Sequence, residues 1–235
     1  MHQIKRFIHY FSRLELALWL SSLALILLSF LIFDREGYVS LIGSLIGATA
    51  LIFCAKGNPI GQVLVIVFSV FYGIISWSYA YYGEVITYLG MSAPMAVLAL
   101  ISWLKNPYNG NRSEVKVNKL KKGEPIFMFA LTAGVTVAFY FILKYFNTAN
   151  LITSTASVAT SFLAVYLTFR RSPYYALAYA ANDLVLIVLW ALATFSDVTY
   201  ISVLICFVTF LLNDLYGFAN WRRMEKRQKN TRPPT

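Results

Sequence analysis

The stretch from Tyr174 to Thr194 reads YYALAYAANDLVLIVLWALAT and carries Asn182 and Asp183 near the middle of an apolar segment. A helix of this length crosses a hydrocarbon layer of about 30 Å. A carboxylate near the centre of such a helix costs about 2.5 to 3.5 kcal/mol, so it is kept where it faces a bundle interior or a watered cavity. Trp190 follows Asp183 by about two turns and shares one broad face with it. This face predicts one wall of a substrate site.

The whole chain has the composition of an integral membrane protein. It is 59% hydrophobic and 13% charged over 235 residues, which is too apolar for a soluble domain of this length. The pattern predicts an all-α protein with eight spans, at 14–33, 38–55, 60–82, 85–104, 126–146, 150–169, 174–194 and 199–221. Pro94 predicts a bend in span four. Cys54 and Cys206 lie inside apolar runs, so we interpret them as lipid-facing or packing residues and not as a disulfide.

The formal net charge of +10 could indicate a nucleic-acid partner. With the N-terminus inside, however, every basic residue except Arg35 and Lys144 falls on the cytoplasmic side, as the positive-inside rule describes. We therefore predict cytoplasmic termini, anionic lipid headgroups as partners of loop 105–124 and of the tail, and no nucleic acid. Residues 1–13 predict a short interfacial helix, and span one is interpreted as a retained helix and not as a cleaved signal peptide.

An internal repeat relates spans two to four to spans six to eight. Pro59 and Pro173 precede Trp77 and Trp190 by similar distances, and each tryptophan is followed seven residues later by an acid and a valine. Span five would bring the second copy into the orientation of the first, and parallel repeats of this kind are a transporter architecture. The predicted division is a leader and extra helix (1–37), a first repeat (38–104), a basic loop and linker helix (105–149), a second repeat (150–221) and a basic tail (222–235).

Several motifs are similar to those of the bacterial nicotinamide riboside transporter (PnuC) family. They lie at 57–62, 77–84, 102–105, 179–190 and 213–224, and the resemblance covers about residues 38–225. It implies a SWEET-like 3+1+3 arrangement of transmembrane helices, a homotrimer, and facilitated diffusion of nicotinamide riboside, a form of vitamin B3. A separate cytoplasmic kinase would trap the cargo by phosphorylation. Relatives of this fold carry thiamine, riboflavin or deoxynucleosides, so another vitamin or nucleoside is the alternative cargo.

The candidate substrate-binding residues combine carboxyl, amide and aromatic groups. A cationic nicotinamide ring favours a carboxylate or a π-face, and ribose hydroxyls favour amides. The candidates are Asn182, Asp183, Trp190, Asn213, Trp77 and Gln62.

Each candidate has a structural alternative. Asn182 could join two helices, Asp183 could serve the fold, Gln62 could gate the site, and the tryptophans could be interfacial anchors. Five other residues are predicted to have no role in binding: Asp214 as structural, Trp103 and Trp221 as cytoplasmic belt residues, and Glu84 and Asp197 as solvated loop acids.

An intramembrane enzyme is the rival from another class. The only histidines are His2 and His9, both in the leader, and the sequence shows no phosphate-binding loop, carboxylate cluster or metal-ligand spacing. We therefore predict a transporter of the bacterial cytoplasmic membrane without a metal or cofactor.

Overall fold

The computed structural model describes residues 10–78 and 82–230. Within these residues, eight helices are long and apolar enough to cross a membrane, which confirms the predicted all-α membrane fold. They are α1 (Arg13–Phe33), α2 (Tyr38–Ala55), α3 (Ile60–Ser78), α4 (Tyr82–Leu104), α5 (Glu124–Tyr145), α6 (Leu151–Phe169), α7 (Tyr175–Thr194) and α8 (Ile201–Asn230). The predicted leader helix, apart from its last residues, and the end of predicted span three lie outside the described residues.

The helix boundaries follow from local chemistry. At the start of α1, the Ser12 hydroxyl accepts from the Glu15 amide at 3.2 Å and the Glu15 carboxylate accepts from the Ser12 amide at 2.7 Å, a complete capping box. In α4, a π-helical stretch over Ile86–Ser92 precedes the α-helical part. Pro94 then lies in the first turn of that part, directly after the π-helical stretch. The structure thus shows a change of helix type next to Pro94, and the bend at Pro94 stays a prediction.

The loop between α4 and α5 forms a hairpin that the sequence did not predict. Strand β1 (Pro107–Tyr108) pairs antiparallel with β2 (Asn111–Val115). Gln228 joins this loop to the end of α8, since its amide accepts from the Val117 N–H at 2.8 Å and donates to the Val115 carbonyl at 3.1 Å. The predicted basic tail is therefore helical as far as Asn230 and packs on the loop. We call this end of the bundle the hairpin side and the opposite end the far side.

Two turns on the hairpin side have the same construction. Gly57, between α2 and α3, and Arg171, between α6 and α7, both adopt left-handed backbone conformations with φ of 66° and 56°. The loop passes over both turns, because the Val115 N–H donates to the Gly57 carbonyl at 2.9 Å and the Asn118 N–H donates to the Arg171 carbonyl at 3.0 Å. These turns place α2–α3 and α6–α7 in matching positions.

Paired tryptophans join the two halves on the hairpin side. The Trp103 indole N–H donates to the Thr168 carbonyl at 3.0 Å, and the Trp221 indole N–H donates to the Cys54 carbonyl at 2.8 Å. Both rings are fully buried, with centroids 5.4 Å apart. The predicted belt position is therefore wrong, because each indole instead satisfies a carbonyl at the end of a helix in the other half.

Helices α1 and α5 also occupy corresponding places. Glu15 at the start of α1 forms an ion pair with Lys56 at 3.0 Å, and Glu124 at the start of α5 forms one with Arg170. Lys56 and Arg170 each precede the left-handed residue of their turn. Helix α1 packs on α2 and α8, and α5 packs on α6. The SWEET-like 3+1+3 repeat stays a prediction, which these matched contacts support.

Candidate substrate cavity

A cavity lies between the two halves, with walls from α2, α3, α4, α6, α7 and α8. Its empty space is about 670 Å³, counting the part that is open to solvent. Aromatic side chains supply much of the wall. They are Phe68, Tyr88, Tyr175, Tyr179, Phe207 and Phe210.

A pair of carboxyl groups is the main polar feature of the wall. Asp183 on α7 and Asp214 on α8 are both buried and lie within hydrogen-bonding reach of each other, and the Asp183 Oδ2 atom has no partner. Among the described residues that line the cavity, none is basic. Two adjacent carboxylates repel each other, so this pair requires a shared proton or a bound cation.

Asp214, which the sequence predicted to be structural, thus lies in the cavity wall beside Asp183. A signal was present in the sequence, because Asn182-Asp183 and Asn213-Asp214 repeat the same dipeptide on two neighbouring helices. The repeated dipeptide places the two acids together but not the two amides, which face different elements of the bundle.

Asn182 contacts the cavity and also joins two helices. It lines the wall, and its carboxamide oxygen accepts from the Thr160 hydroxyl at 2.8 Å and from the Ser161 hydroxyl at 2.9 Å, both on α6. Asn182 therefore does join two helices, and its role in substrate binding stays a prediction. The hydroxyl groups fix the orientation of the amide, so that its position in the wall is defined before any ligand arrives.

Gln62 lies in the wall near the hairpin side. It is buried, and its amide donates to the Cys54 sulfur at 3.3 Å. Sulfur is a weak acceptor, so a ligand oxygen could replace it at little cost. Cys54 and Cys206 are both buried within the bundle, which leaves packing as their role and not contact with lipid.

Trp190 lies outside the cavity wall. It is 0% exposed, and its indole N–H donates to the Tyr72 hydroxyl at 2.7 Å. The Tyr72 ring in turn packs on Tyr88, with centroids 4.2 Å apart. Tyr72, Tyr88 and Trp190 form what we call the far-side aromatic layer, which closes the cavity on that side. The structure gives Trp190 a position in this layer and no direct access to a ligand in the cavity.

Two other candidates are also away from the cavity. Trp77 is 65% exposed on the outside of the bundle, with an edge contact to Tyr82 at 5.3 Å. The Asn213 amide donates to the Ser22 hydroxyl of α1 at 2.9 Å and to the Thr209 carbonyl at 2.7 Å. Asn213 therefore ties α8 to α1, in the manner of an interhelical polar contact.

The two acids predicted to be solvated differ. Asp197 is exposed, as predicted, whereas Glu84 is fully buried, so the prediction for Glu84 is wrong. The reason is that α4 begins at Tyr82, which places Glu84 in the first turn of a helix that packs on its neighbours and not in a loop.

The fold and the cavity define a helical membrane protein with a cavity between two halves, which is the design of a transporter. A family model described as nicotinamide mononucleotide transporter matches residues 37–223. The chain belongs to this family of membrane transporters, which confirms the predicted family and excludes the enzyme alternative. The described part of the chain contains no group of three or more His, Cys, Asp or Glu side chains that could hold a metal ion.

Known relatives agree with this assignment. The chain is 24% identical over 216 residues to the nicotinamide riboside transporter PnuC of Neisseria mucosa, covering 90% of this chain and 82% of the relative. It is 23% identical over 198 residues to the protein of the same name from Haemophilus influenzae, covering 82% of each. The crystal structure of a vitamin B3 transporter PnuC superimposes with a TM-score of 0.82 at 22% identity, over 93% of this chain and 94% of the other, and so shows the same fold.

Proposed function

We propose that this protein carries nicotinamide riboside across the bacterial cytoplasmic membrane by facilitated diffusion. The observation that carries the proposal is the Asp183–Asp214 carboxyl pair in an aromatic wall. With one shared proton the pair has a charge of −1, which matches the +1 charge of the nicotinamide ring. A cation over an aromatic face gains about 0.5 to 2 kcal/mol more. The names of the two relatives support the same cargo.

The cavity favours the riboside over the mononucleotide in the family's description. A phosphate group would bring about −1.5 to −2 charges next to the two carboxyl groups. Phosphate sites in proteins use Arg, Lys or backbone N–H groups, but none of the described lining residues is basic. The asparagine and glutamine of the wall, Asn182 and Gln62, are suited to ribose hydroxyls instead.

Two aromatic closures support alternating access. The far-side aromatic layer stands on one side of the cavity, and Trp103, Trp221 and Tyr175 are buried together on the hairpin side, with Tyr175 and Trp221 centroids 4.9 Å apart. Opening one closure at a time would expose the cavity to one face of the membrane. The basic residues on the hairpin side favour that side as cytoplasmic, where a kinase would trap the cargo.

The assembly is proposed to be a homotrimer, as the family resemblance implies, in contact with anionic lipids at its basic side. Exposed apolar side chains of α5, including Ile126, Phe129 and Phe141, provide surface for lipid or for a neighbouring copy. Mass measurement of the protein in lipid nanodiscs tests the trimer, and a monomeric mass would contradict it.

Calorimetric titration of the purified full chain tests the cargo. We expect nicotinamide riboside to bind and nicotinamide mononucleotide to bind at least about tenfold more weakly, since a tenfold change is about 1.4 kcal/mol. Equal binding of the mononucleotide would contradict the charge argument. Preference for thiamine, which is also a cation, would keep the site and change the cargo. Preference for thymidine would remove the role of the carboxyl pair.

Matched variants test the residues. Asp214→Asn should weaken binding of nicotinamide riboside by about tenfold or more, because a charge-assisted contact contributes about 1.5 to 3 kcal/mol. Asp197→Asn is the control, since it makes the same change at an exposed position. Asn182→Ala should weaken binding in a folded protein, and wild-type affinity there would remove Asn182 from the site.

A further inference from the structure

Glu84 is a buried acid that the cavity does not use. It is 0% exposed, and both of its carboxyl oxygens lack a hydrogen-bond partner. The Ser157 hydroxyl of α6 faces this carboxyl group, is also 0% exposed, and likewise lacks a partner of normal geometry. An unpaired buried carboxylate is costly enough that such groups are neutralised by a proton or by a cation.

The surroundings of Glu84 offer no compensating charge. Tyr72 faces it from α3 and Tyr88 from α4 itself. Leu143 of α5 and Thr148 lie against the neighbouring Gly83. From the described elements packed around this turn, no Lys, Arg or His side chain faces the carboxyl group. Lys144, the basic residue next to Leu143, is exposed.

We propose that Glu84 and Ser157 form a monovalent-cation site that holds a proton or Na⁺ whenever the far side is closed. A carboxylate and a hydroxyl are hard oxygen ligands, which suit a small hard cation. The occupant neutralises Glu84. Cation binding and closure of the far side are therefore thermodynamically linked, so that each favours the other. The cation site itself is independent of the cargo, and only its effect on transport rests on the proposed function.

The position of the site implies that the cation controls the rate of transport and does not drive transport by moving down its own gradient. Glu84 lies two residues after Tyr82, at the far-side start of α4. Tyr88, four residues later on the same helix, lines the cavity and packs on Tyr72 with ring centroids 4.2 Å apart, whereas Glu84 is not part of the cavity wall. A cation held at Glu84 can therefore leave only to the side from which it came. It would permit closure without being carried across, which agrees with facilitated diffusion.

A cargo-free experiment tests the site. The thermal unfolding midpoint of the purified full chain is measured from mildly acidic to alkaline pH, with Na⁺ or N-methylglucamine at constant ionic strength. We expect the midpoint to fall as pH rises without Na⁺. Restoration of the midpoint by Na⁺ identifies a Na⁺ site, and no effect of Na⁺ identifies a proton site.

Variants decide between the proposal and a merely structural acid. Glu84→Gln should lose most of the pH effect and all of any Na⁺ effect, whereas Asp197→Asn should keep both. If Glu84→Gln does not fold, Ser157→Ala provides the test, because it should displace the pH profile or weaken the Na⁺ effect in a folded protein. A folded variant of Glu84 or Ser157 with both wild-type profiles would overturn the site.

Vesicle uptake tests the role in transport. External pH or Na⁺ should change the initial rate of nicotinamide riboside uptake in the wild type, severalfold, without changing the final level. In Glu84→Gln the rate should no longer respond. Uptake above equilibrium driven by either gradient would contradict the one-sided site. If no cargo bound to the protein, the proposed function would be wrong. The cation site would still be supported by the dependence of the unfolding midpoint on pH or Na⁺, which is measured without cargo.

Discussion

The two halves of the molecule are alike on the hairpin side and differ on the far side. On the hairpin side, Trp103 and Trp221 donate to equivalent carbonyls of the opposite half. On the far side, Trp190 is buried in the aromatic layer whereas its sequence counterpart Trp77 is 65% exposed. The difference indicates that shared contacts hold the frame, while residues particular to one half form the closure and the cavity.

The cause of the difference is a single missing partner. Trp190 donates to the hydroxyl of Tyr72 in the other half. Counting back five residues from each tryptophan, the counterpart of Tyr72 is Val185, which has no hydroxyl. A buried indole N–H without an acceptor would cost about 1 to 3 kcal/mol. Trp77, which has no such acceptor available, lies at the surface.

The largest expected effect concerns the tryptophans on the hairpin side. Trp103→Ala or Trp221→Ala should destabilise the protein by about 3 to 5 kcal/mol, because each opens a large cavity in the core. Trp77→Ala is the matched control and should change stability by less than about 0.5 kcal/mol. The measurement is the unfolding free energy in mixed micelles. Equal losses at all three positions would break the comparison.

The next effect concerns close packing that exists in one half. A Cβ atom at Gly61 would lie 2.6 Å from both the backbone nitrogen and the sulfur of Cys54. Counted from the left-handed turn residues Gly57 and Arg171, the counterpart of Gly61 in the other half is Tyr175. Close packing therefore depends on a glycine at this position between α2 and α3 but not between α6 and α7. Gly61→Ala should destabilise by about 1 to 3 kcal/mol through overpacking.

Gly134 on α5 provides the control for this prediction. Nothing lies within 4 Å of a Cβ atom at that position, so Gly134→Ala should be neutral or stabilising by up to about 1 kcal/mol. Thermal unfolding of both variants, made in parallel, checks the pair. A tolerated Gly61→Ala would show that α2 and α3 can separate without loss.

A smaller effect tests whether α1 and α5 are equivalent. Lys56→Gln removes the partner of Glu15, and Arg170→Gln removes the partner of Glu124. Each should cost about 1.5 kcal/mol, the lower end for a hydrogen bond to a charged group, because both pairs are partly exposed. Similar losses would sharpen the correspondence of the two halves. A loss in one half alone would mean that one of the two helices is not held by its ion pair.

The spans could be predicted from sequence because their signal is local. An apolar run of membrane length and its flanking charges determine a helix and its boundaries, so α1 to α8 were predicted to within a few residues, except at the ends of spans three and eight. The hairpin could not be predicted, because the strands pair over very few residues. The contacts that order the loop, such as Gln228 with Val117, join residues 111 positions apart.

The site was predicted only in part. Asn182, Asp183 and Gln62 line the cavity, whereas Trp77, Trp190 and Asn213 do not. Position along a helix follows from the sequence, but the face of the helix that meets the cavity depends on how the helices are rotated in the bundle. Neighbouring residues point about 100° apart, and Asn213 and Asp214 accordingly face α1 and the cavity.

The smallest expected effect compares the two acids at corresponding places, Glu84 and Asp197. Hydrogen bonds from the Thr199 N–H, at 2.9 Å, and from its hydroxyl, at 2.8 Å, hold the pKa of Asp197 below its ordinary value. The ionised form is therefore favoured by folding. Its contribution is present above the pKa of the unfolded chain, about 3.9, and is lost as pH falls through the lower folded value.

The difference in unfolding midpoint between wild type and Asp197→Asn should therefore shrink on acidification, because asparagine caps the turn without titrating. The proposed cation site gives Glu84 the opposite slope, since protonation there favours the closed protein. Midpoints recorded for wild type, Asp197→Asn and Glu84→Gln over the same pH series separate the two slopes. If the contributions of both acids to the unfolding midpoint changed with pH in the same direction, burial of Glu84 would not distinguish the two halves. The aromatic layer would then be the remaining difference between the halves on the far side.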